Sequence, residues 1–366
     1  MHTLSYQRSA AALRTLFVAD ALAMPVHWYY SVADIFRAFP GGIQRLEAAP
    51  ARHPSSIMSL HSTAGGGRHH GKPAPSRQEV VGTLILKGRH EFWNQRSIHY
   101  HQGMQAGENT LNAHCARVLM RCLAANGGEY KPQAFLQDYI AFMTADPPQH
   151  NDTYAESYHR GFFANLQRGL PPERCAAITH DTPSIGGLVT IAPLVLSQRI
   201  GGIGLDTVRS NVQTHLSLTH PDALLAQLCD AYVVLIDQLL SRDLNTHPQE
   251  IIADIASASI GLNLPRLIAS QPDDREVIGR RFSSACYIDG AWPGVLYLLY
   301  KYYDKAGQAL LANTNLGGDN VHRGAVLGAL LGLIGGQTIE AWYTQLHDHA
   351  AIDSEIQRLL TEPSPH

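Results

Sequence analysis

Charge is scarce in this chain. Only 16% of its 366 residues are Asp, Glu, Lys or Arg, and 28 basic against 31 acidic residues leave a net charge of −3. No basic stripe appears, so nucleic acid is not expected as a partner. Cysteine is scarce too. The five are Cys115, Cys122, Cys175, Cys229 and Cys286, an odd number without a C-x-x-C pair. That usage fits reduced core thiols in a cytoplasmic protein. Long apolar runs are missing. Those around Ile185 to Leu196 and Ala325 to Ile334 are too short to span a bilayer, and Pro193 interrupts the first. Residues 1–30 carry Arg8, Arg14 and Asp20 inside an apolar periodicity. This predicts an amphipathic helix rather than a signal peptide, and no membrane partner. Alternating apolar and polar runs of strand type are rare.

What the chain does have is apolar bulk, 45% of residues, enough for one large core or two ordinary ones. The dominant period is helical. Leu111, Cys115, Val118, Leu119 and Cys122 share one face, as do Phe135, Tyr139 and Phe142, and as do Leu224, Leu228, Ala231, Leu235 and Leu239. Gly and Pro cluster between the periodic blocks, at Pro40-Gly41-Gly42, Gly127-Gly128, Pro147-Pro148 and Gly317-Gly318 among others. The count predicts roughly a dozen helices and one all-α domain over residues 1–366. His53 to Gln78 is the candidate for a long mobile loop, with 53–78 as its bounds.

Polar stations interrupt these helices. Leu316-Gly317-Gly318-Asp319 places a carboxylate on a glycine turn before the small-residue run Gly324 to Gly336. That is a helix start with Asp319 at or near the N-cap. Ala19-Asp20-Ala21-Leu22 lies near a helix end and leads to His27-Trp28-Tyr29-Tyr30, whose rings can stack on a base or sugar. Glu108-Asn109-Thr110 offers oxygen ligands of the kind hard cations accept. His99-x-His101 just before it is a weak pair for a softer metal. Asp152 and Glu156, in His150-Asn151-Asp152-Thr153-Tyr154-Ala155-Glu156, read either as a capping-box-like start or as a loop with an active-site carboxylate. His180-Asp181 precedes Gly186-Gly187, which permits close backbone approach to a ligand, or a tight turn. Asp289-Gly290-Ala291-Trp292 supplies an aromatic that could wall a pocket. The twenty histidines are mostly scattered.

The order of these stations resembles the ADP-ribosylglycohydrolase family, of the dinitrogenase-reductase-activating type. Ala19-Asp20-Ala21-Leu22 is similar to the family's Gly-Asp-Ala-Leu. Glu108-Asn109-Thr110 stands where the family has Asp-Asp-Thr, Gly186 to Leu194 follows its Asn-Gly-Ala-Met-Arg-x-x-Pro-Leu region loosely, and Gly317-Gly318-Asp319-Asn320-Val321-His322 follows Gly-Gly-Asp-Thr-Asp-Thr. The resemblance implies a single compact all-α multi-helix bundle with a central polar cleft. It also implies Mg²⁺ or Mn²⁺ ions that orient a ribose diol, and hydrolysis of an ADP-ribosyl or related glycosidic bond. Carried over, the metal ligands are Glu108, Asn109, Thr110, Asp319 and His322. The candidate catalytic carboxylates are Asp152 or Asp181 as general base for water, Asp152 standing roughly where the family has its catalytic acid, and Glu108. The substrate-binding residues are Asp20, Trp28, Asn109, Gly186, Gly187 and Trp292.

The chain departs from the family at the metal. Of four carboxylates it keeps two, Glu108 and Asp319, with Asn109, Val321 and His322 in the other places. Two carboxylates offset half the charge of two Mg²⁺ ions, so one ion is expected rather than two, or a transition metal recruited by His322, or none. The leading expectation is a cytoplasmic hydrolase for a small or ADP-ribosylated substrate. The alternatives are a non-catalytic ADP-ribose-like ligand-binding protein and a metal-free hydrolase or lyase. Glu108, Asn109, Thr110, Asp319 and His322 are expected in one cleft, with Trp28 to Tyr30 and Trp292 near it.

Overall fold

The computed structural model describes residues 2–58, 80–271, 273–337 and 339–361. Most of the proposed loop, positions 59–78, lies outside the described residues. Among the described residues there are sixteen α-helices, four short 3-10 helices and no strand. The fold is all-α. The excess over a dozen comes from helices such as Asp274–Val277 and Glu340–Tyr343, four residues each, which are too short to show a helical period.

The helix His2–Ala23 is not amphipathic. From Arg8 to Ala23 it is buried on every side except at Arg14. It is packed among the helices Asn320–Gly335, His349–Leu360, Ala306–Leu316 and Ile191–Ile200. Its charges are satisfied locally: Arg8 donates to the carbonyls of Leu240 and Arg242, and Arg14 pairs with Asp353. Apolar run length had therefore understated this segment. Two described stretches, Thr3–Val26 and Ala223–Ser241, are long and apolar enough to cross a membrane, and 94% and 50% of their apolar windows are buried within the protein. All five cysteines are buried and free.

The partner of the first helix is Asn320–Gly335, and glycine sets how closely the two approach. Gly324, Gly328 and Gly332 recur every fourth residue and so share one helix face. A Cβ on Gly328 would lie 2.6 Å from the Thr15 carbonyl oxygen, and one on Gly332 2.5 Å from that of Ala11. Gly328→Ala is therefore expected to destabilise the fold by about 1–3 kcal/mol through overpacking. The check is thermal unfolding, and an unchanged midpoint would show that the helices can part without loss.

Candidate active site

Backbone pairing brings the ends of the two central helices together. After Ala23 the chain makes a 3-10 turn, Met24–Val26, with Pro25 in it, and leaves it extended at His27. The helix Asn320–Gly335 is entered through Gly317 and Gly318, at φ +68° and +66°. Trp28 N–H donates to the Gly318 carbonyl (2.8 Å), and Gly318 N–H donates to the Tyr29 carbonyl (2.7 Å). A Cβ on Gly317 would collide with the Tyr29 carbonyl, and one on Gly318 with that of Ser284, so only glycine allows this approach. The pairing carries His27 to Asp319 across 292 positions of sequence.

From Asp319 a line of buried contacts crosses the site. Asp319 caps its helix, accepting the His322 N–H. Its Oδ1 lies 3.1 Å from His27 Nε2 and 2.9 Å from His322 Nδ1. His27 Nδ1 is 2.7 Å from His101 Nε2, and His101 Nδ1 is 2.8 Å from Asp152 Oδ1. Asp152 also accepts the N–H groups of Leu111 and Tyr154. On the far side, Asn112 Nδ2 is 2.9 Å from His322 Nε2 and donates to Glu156 Oε2 at 2.7 Å. Glu156 Oε1 is buried without a hydrogen-bond partner, 3.6 Å from His322 Nδ1. Among His27, Trp28, Asn112, Tyr154, Glu156 and His322 is a cavity of about 10 Å³, room for about one water.

Burial and charge act in opposite directions here. Burial would raise the Asp319 carboxyl, but the charge of His322 and the hydrogen bonds from His27 and His322 outweigh it, so it titrates well below the usual range. Burial likewise opposes ionisation of Asp152, and His101 outweighs it. The His322 imidazole would be lowered by burial, but Asp319 and Glu156 lift it to about 10. Burial lowers His27 to about 3 despite Asp319. Glu156 goes the other way: burial raises its carboxyl to about 7, helped by the charges of Asp181 and Asp319.

The sequence-derived candidates separate. His322, Thr110, Trp28 and Asp152 line the central cavity, and Asp319 lies behind it against His27 and His322, with Trp28 stacked on His27 at a ring-centroid distance of 3.7 Å. Glu108 and Asn109 line a different pocket, of about 300 Å³, with His114 and His150. Glu108 accepts from the Gln105 N–H and Asn151, because its residue lies one turn outside the helix Leu111–Ala125. Asn109 and Thr110 both donate to Asp20 (2.8 and 2.6 Å), tying the first helix to the third station. Asp181 accepts the Ser157 N–H and hydroxyl at the start of the helix Ser157–Gln167, so it takes the capping work. Gly186 abuts the site: a Cβ there would lie 3.2 Å from Asn112 Nδ2 and 3.3 Å from Glu156 Oε1. Gly187 abuts His220 instead. Trp292 is fully buried beside Tyr232 and Ser259. Tyr29 is buried against His53, and Tyr30 is exposed.

Sequence reasoning missed His27, His101 as a bridge, Asn112, and Glu156 as an open carboxylate. Two of them left a signal: His101 in the His99-x-His101 pair, and Glu156 as an acid beside a helix start, where its side chain makes no cap bond. His27 left none, because its partner is supplied by the other end of the chain.

A family profile described as ADP-ribosylglycohydrolase matches residues 1–365. The chain belongs to the ADP-ribosylglycohydrolase family. A solved structure titled as an ADP-ribosylglycohydrolase-related protein complex is similar at TM-score 0.62 and 15% identity, covering 98% of this chain and 98% of that one. No curated protein matches.

Members of the ADP-ribosylglycohydrolase family are generally glycohydrolases and typically depend on metal. The residues of this member do not fit a pair of magnesium ions, which need charged oxygen ligands in near-octahedral array. Glu108 points into the other pocket. Asn109 and Thr110 are engaged with Asp20. The position after Asn320 is the apolar, buried Val321. What does converge is mixed nitrogen and oxygen: ligand atoms of His27, Asp319 and His322 lie within 4.8 Å of one another.

Proposed function

We propose that this protein hydrolyses a glycosidic bond at an ADP-ribosyl or related ribosyl group, with Glu156 as the general base that activates water. The observation that carries the reading is the Glu156 carboxylate, buried, open at Oε1 and facing a water-sized cavity. A general base works best with a pKa near the working pH, and burial brings this one to about 7. The Asp319 carboxylate, next to His322, can meet positive charge developing on the sugar. Trp28, held at φ +59°, is an aromatic wall in a conformation that costs a bulky residue strain. Together with Tyr154 it lines the cavity. The substrate is a small or ADP-ribosylated molecule, and a single ion rather than two accompanies the site.

The test is release of free ADP-ribose from ADP-ribosylated protein and from ADP-ribosyl-arginine and ADP-ribosyl-serine models, followed by chromatography. One observation favours the non-catalytic binding reading: Asp20, Asn109 and Thr110 close on one another. Saturable ADP-ribose binding without release from any of these substrates would establish it. For the hydrolase, kcat/KM is expected to rise with pH until about pH 7 and then level, since only ionised Glu156 can take a proton. A profile that is flat through this range would remove Glu156 as the base.

A further inference from the structure

We propose that His27, Asp319 and His322 hold one first-row transition-metal dication of the Co²⁺ to Zn²⁺ kind, in a site that discriminates against magnesium. The inference is independent of turnover and rests on counting hydrogens and lone pairs along the buried line.

Asp152 accepts the Leu111 and Tyr154 N–H groups, so its contact with His101 requires the hydrogen to sit on His101 Nδ1. A neutral His101 then presents a lone pair at Nε2, which accepts the Nδ1–H of His27 at 2.7 Å. That leaves His27 Nε2 with a lone pair, directed at Asp319 Oδ1 from 3.1 Å. Two acceptors face each other, and a cation belongs between them: an added proton on the relay, or a metal ion.

Three features favour the ion. The same oxygen is also 2.9 Å from His322 Nδ1, and ligand atoms at about 2.0–2.1 Å from a common metal stand about 3 Å apart. His322 Nδ1 also lies 3.1 Å from Asp319 Oδ2, so an ion here takes the place of the Nδ1 hydrogen that bonds the carboxylate in the ion-free protein. Beyond them Glu156 Oε1, buried and unpartnered, is aimed at the group from 3.6 Å off His322 Nδ1, so negative charge remains to be met. Finally, the outer nitrogen of His27 is held by a His–Asp pair, the support that orients imidazole ligands. Metal at His322 Nδ1 puts its hydrogen on Nε2. A half-turn of the Asn112 carboxamide presents Oδ1 to that hydrogen and Nδ2 to the Tyr158 hydroxyl and His159 Nε2, and it ends the bond to Glu156 Oε2, so the Glu156 carboxylate must turn from Asn112 toward the ion. Two imidazoles and one carboxylate suit late first-row dications and not magnesium, which prefers oxygen.

The experiment strips the full-length protein with chelator and titrates Zn²⁺, Co²⁺ and Mg²⁺ by calorimetry. Zn²⁺ and Co²⁺ are expected to bind at least about 100-fold more tightly than Mg²⁺, Co²⁺ with visible d–d absorption. His27→Gln and His322→Gln are each expected to weaken Zn²⁺ by at least about 10-fold and to abolish the Zn²⁺-dependent rise in melting temperature. If either variant fails to fold, pulsed EPR of Cu²⁺-loaded wild type reads the ligands directly, and two coordinated imidazoles are expected. Magnesium binding as tight as zinc, zinc affinity unchanged in both variants, no bound ion, or a Cu²⁺ spectrum without imidazole would each overturn the proposal.

Discussion

Glu156→Gln is expected to lower kcat/KM by at least about 100-fold, the contribution of a general base, while the protein folds as before. The substitution keeps shape and leaves an oxygen to accept from Asn112. What it removes is the ability to take a proton from water. The stability prediction separates this from structural damage. In the folded protein this carboxyl titrates near 7, against an ordinary value of 4.5. A raised acid contributes stability that is fully present below the unfolded pKa and is lost as pH rises through the folded one. Wild type therefore loses stability from this group between about pH 4.5 and 7, and the amide does not. At alkaline pH Glu156→Gln should melt no lower than wild type, and its residual activity should lose the rise through pH 7. A variant that is inactive because it melts well below wild type at pH 8 would count against Glu156 as a chemical group.

Asp319→Ala should be the most destabilising polar substitution in the molecule, by about 3–5 kcal/mol. Removing one partner of a buried charge pair leaves the other uncompensated, and here the carboxylate serves two imidazoles and caps a central helix. Loss of a cap alone costs about 1 kcal/mol, and the two contributions are coupled rather than additive. For the metal-free protein the pH window follows from the shifts. Asp319 is depressed, so its contribution is present above its ordinary value of 3.8 and is lost as pH falls through the folded value. His322 is raised from 6.5 to about 10, so its contribution is present below 6.5 and fades as pH rises toward 10. The gap between wild type and variant should thus be widest between about pH 4 and 6.5 and close on both sides. Denaturant unfolding at about pH 5 and again near pH 9.5 measures it. Equal stability of the two proteins at pH 5 would show that the imidazoles do not depend on this carboxylate.

The structure revises the sequence reading at particular residues. Asp181, expected as a general-base candidate, instead accepts from the first turn of Ser157–Gln167, the start where Glu156 was read as the acid of a capping box. Both were visible as acids beside a helix start. Which one turned to the backbone depended on a loop that returns to the same turn some 24 residues later. Glu108 and Asn109 stand in the right order for a metal motif, yet face another pocket, because a motif's spacing does not fix the direction of side chains in the turn that precedes a helix.

By itself the sequence determined what depends on near neighbours and on composition. Helical periodicity gave an all-α fold. The absence of cysteine pairs gave free core thiols. The Gly317-Gly318-Asp319 turn before a glycine-spaced helix gave the N-cap carboxylate, since only glycine tolerates that backbone. The order of stations identified the family. Tertiary structure alone decided who meets Asp319. Close packing of the first helix on Asn320–Gly335, and the backbone pairing of Trp28 and Tyr29 with Gly318, bring His27 across nearly the whole chain, and His101, Asn112 and Glu156 follow from other segments. Such partners leave no local pattern, because the contact energy that selects them exists only once the helices have packed.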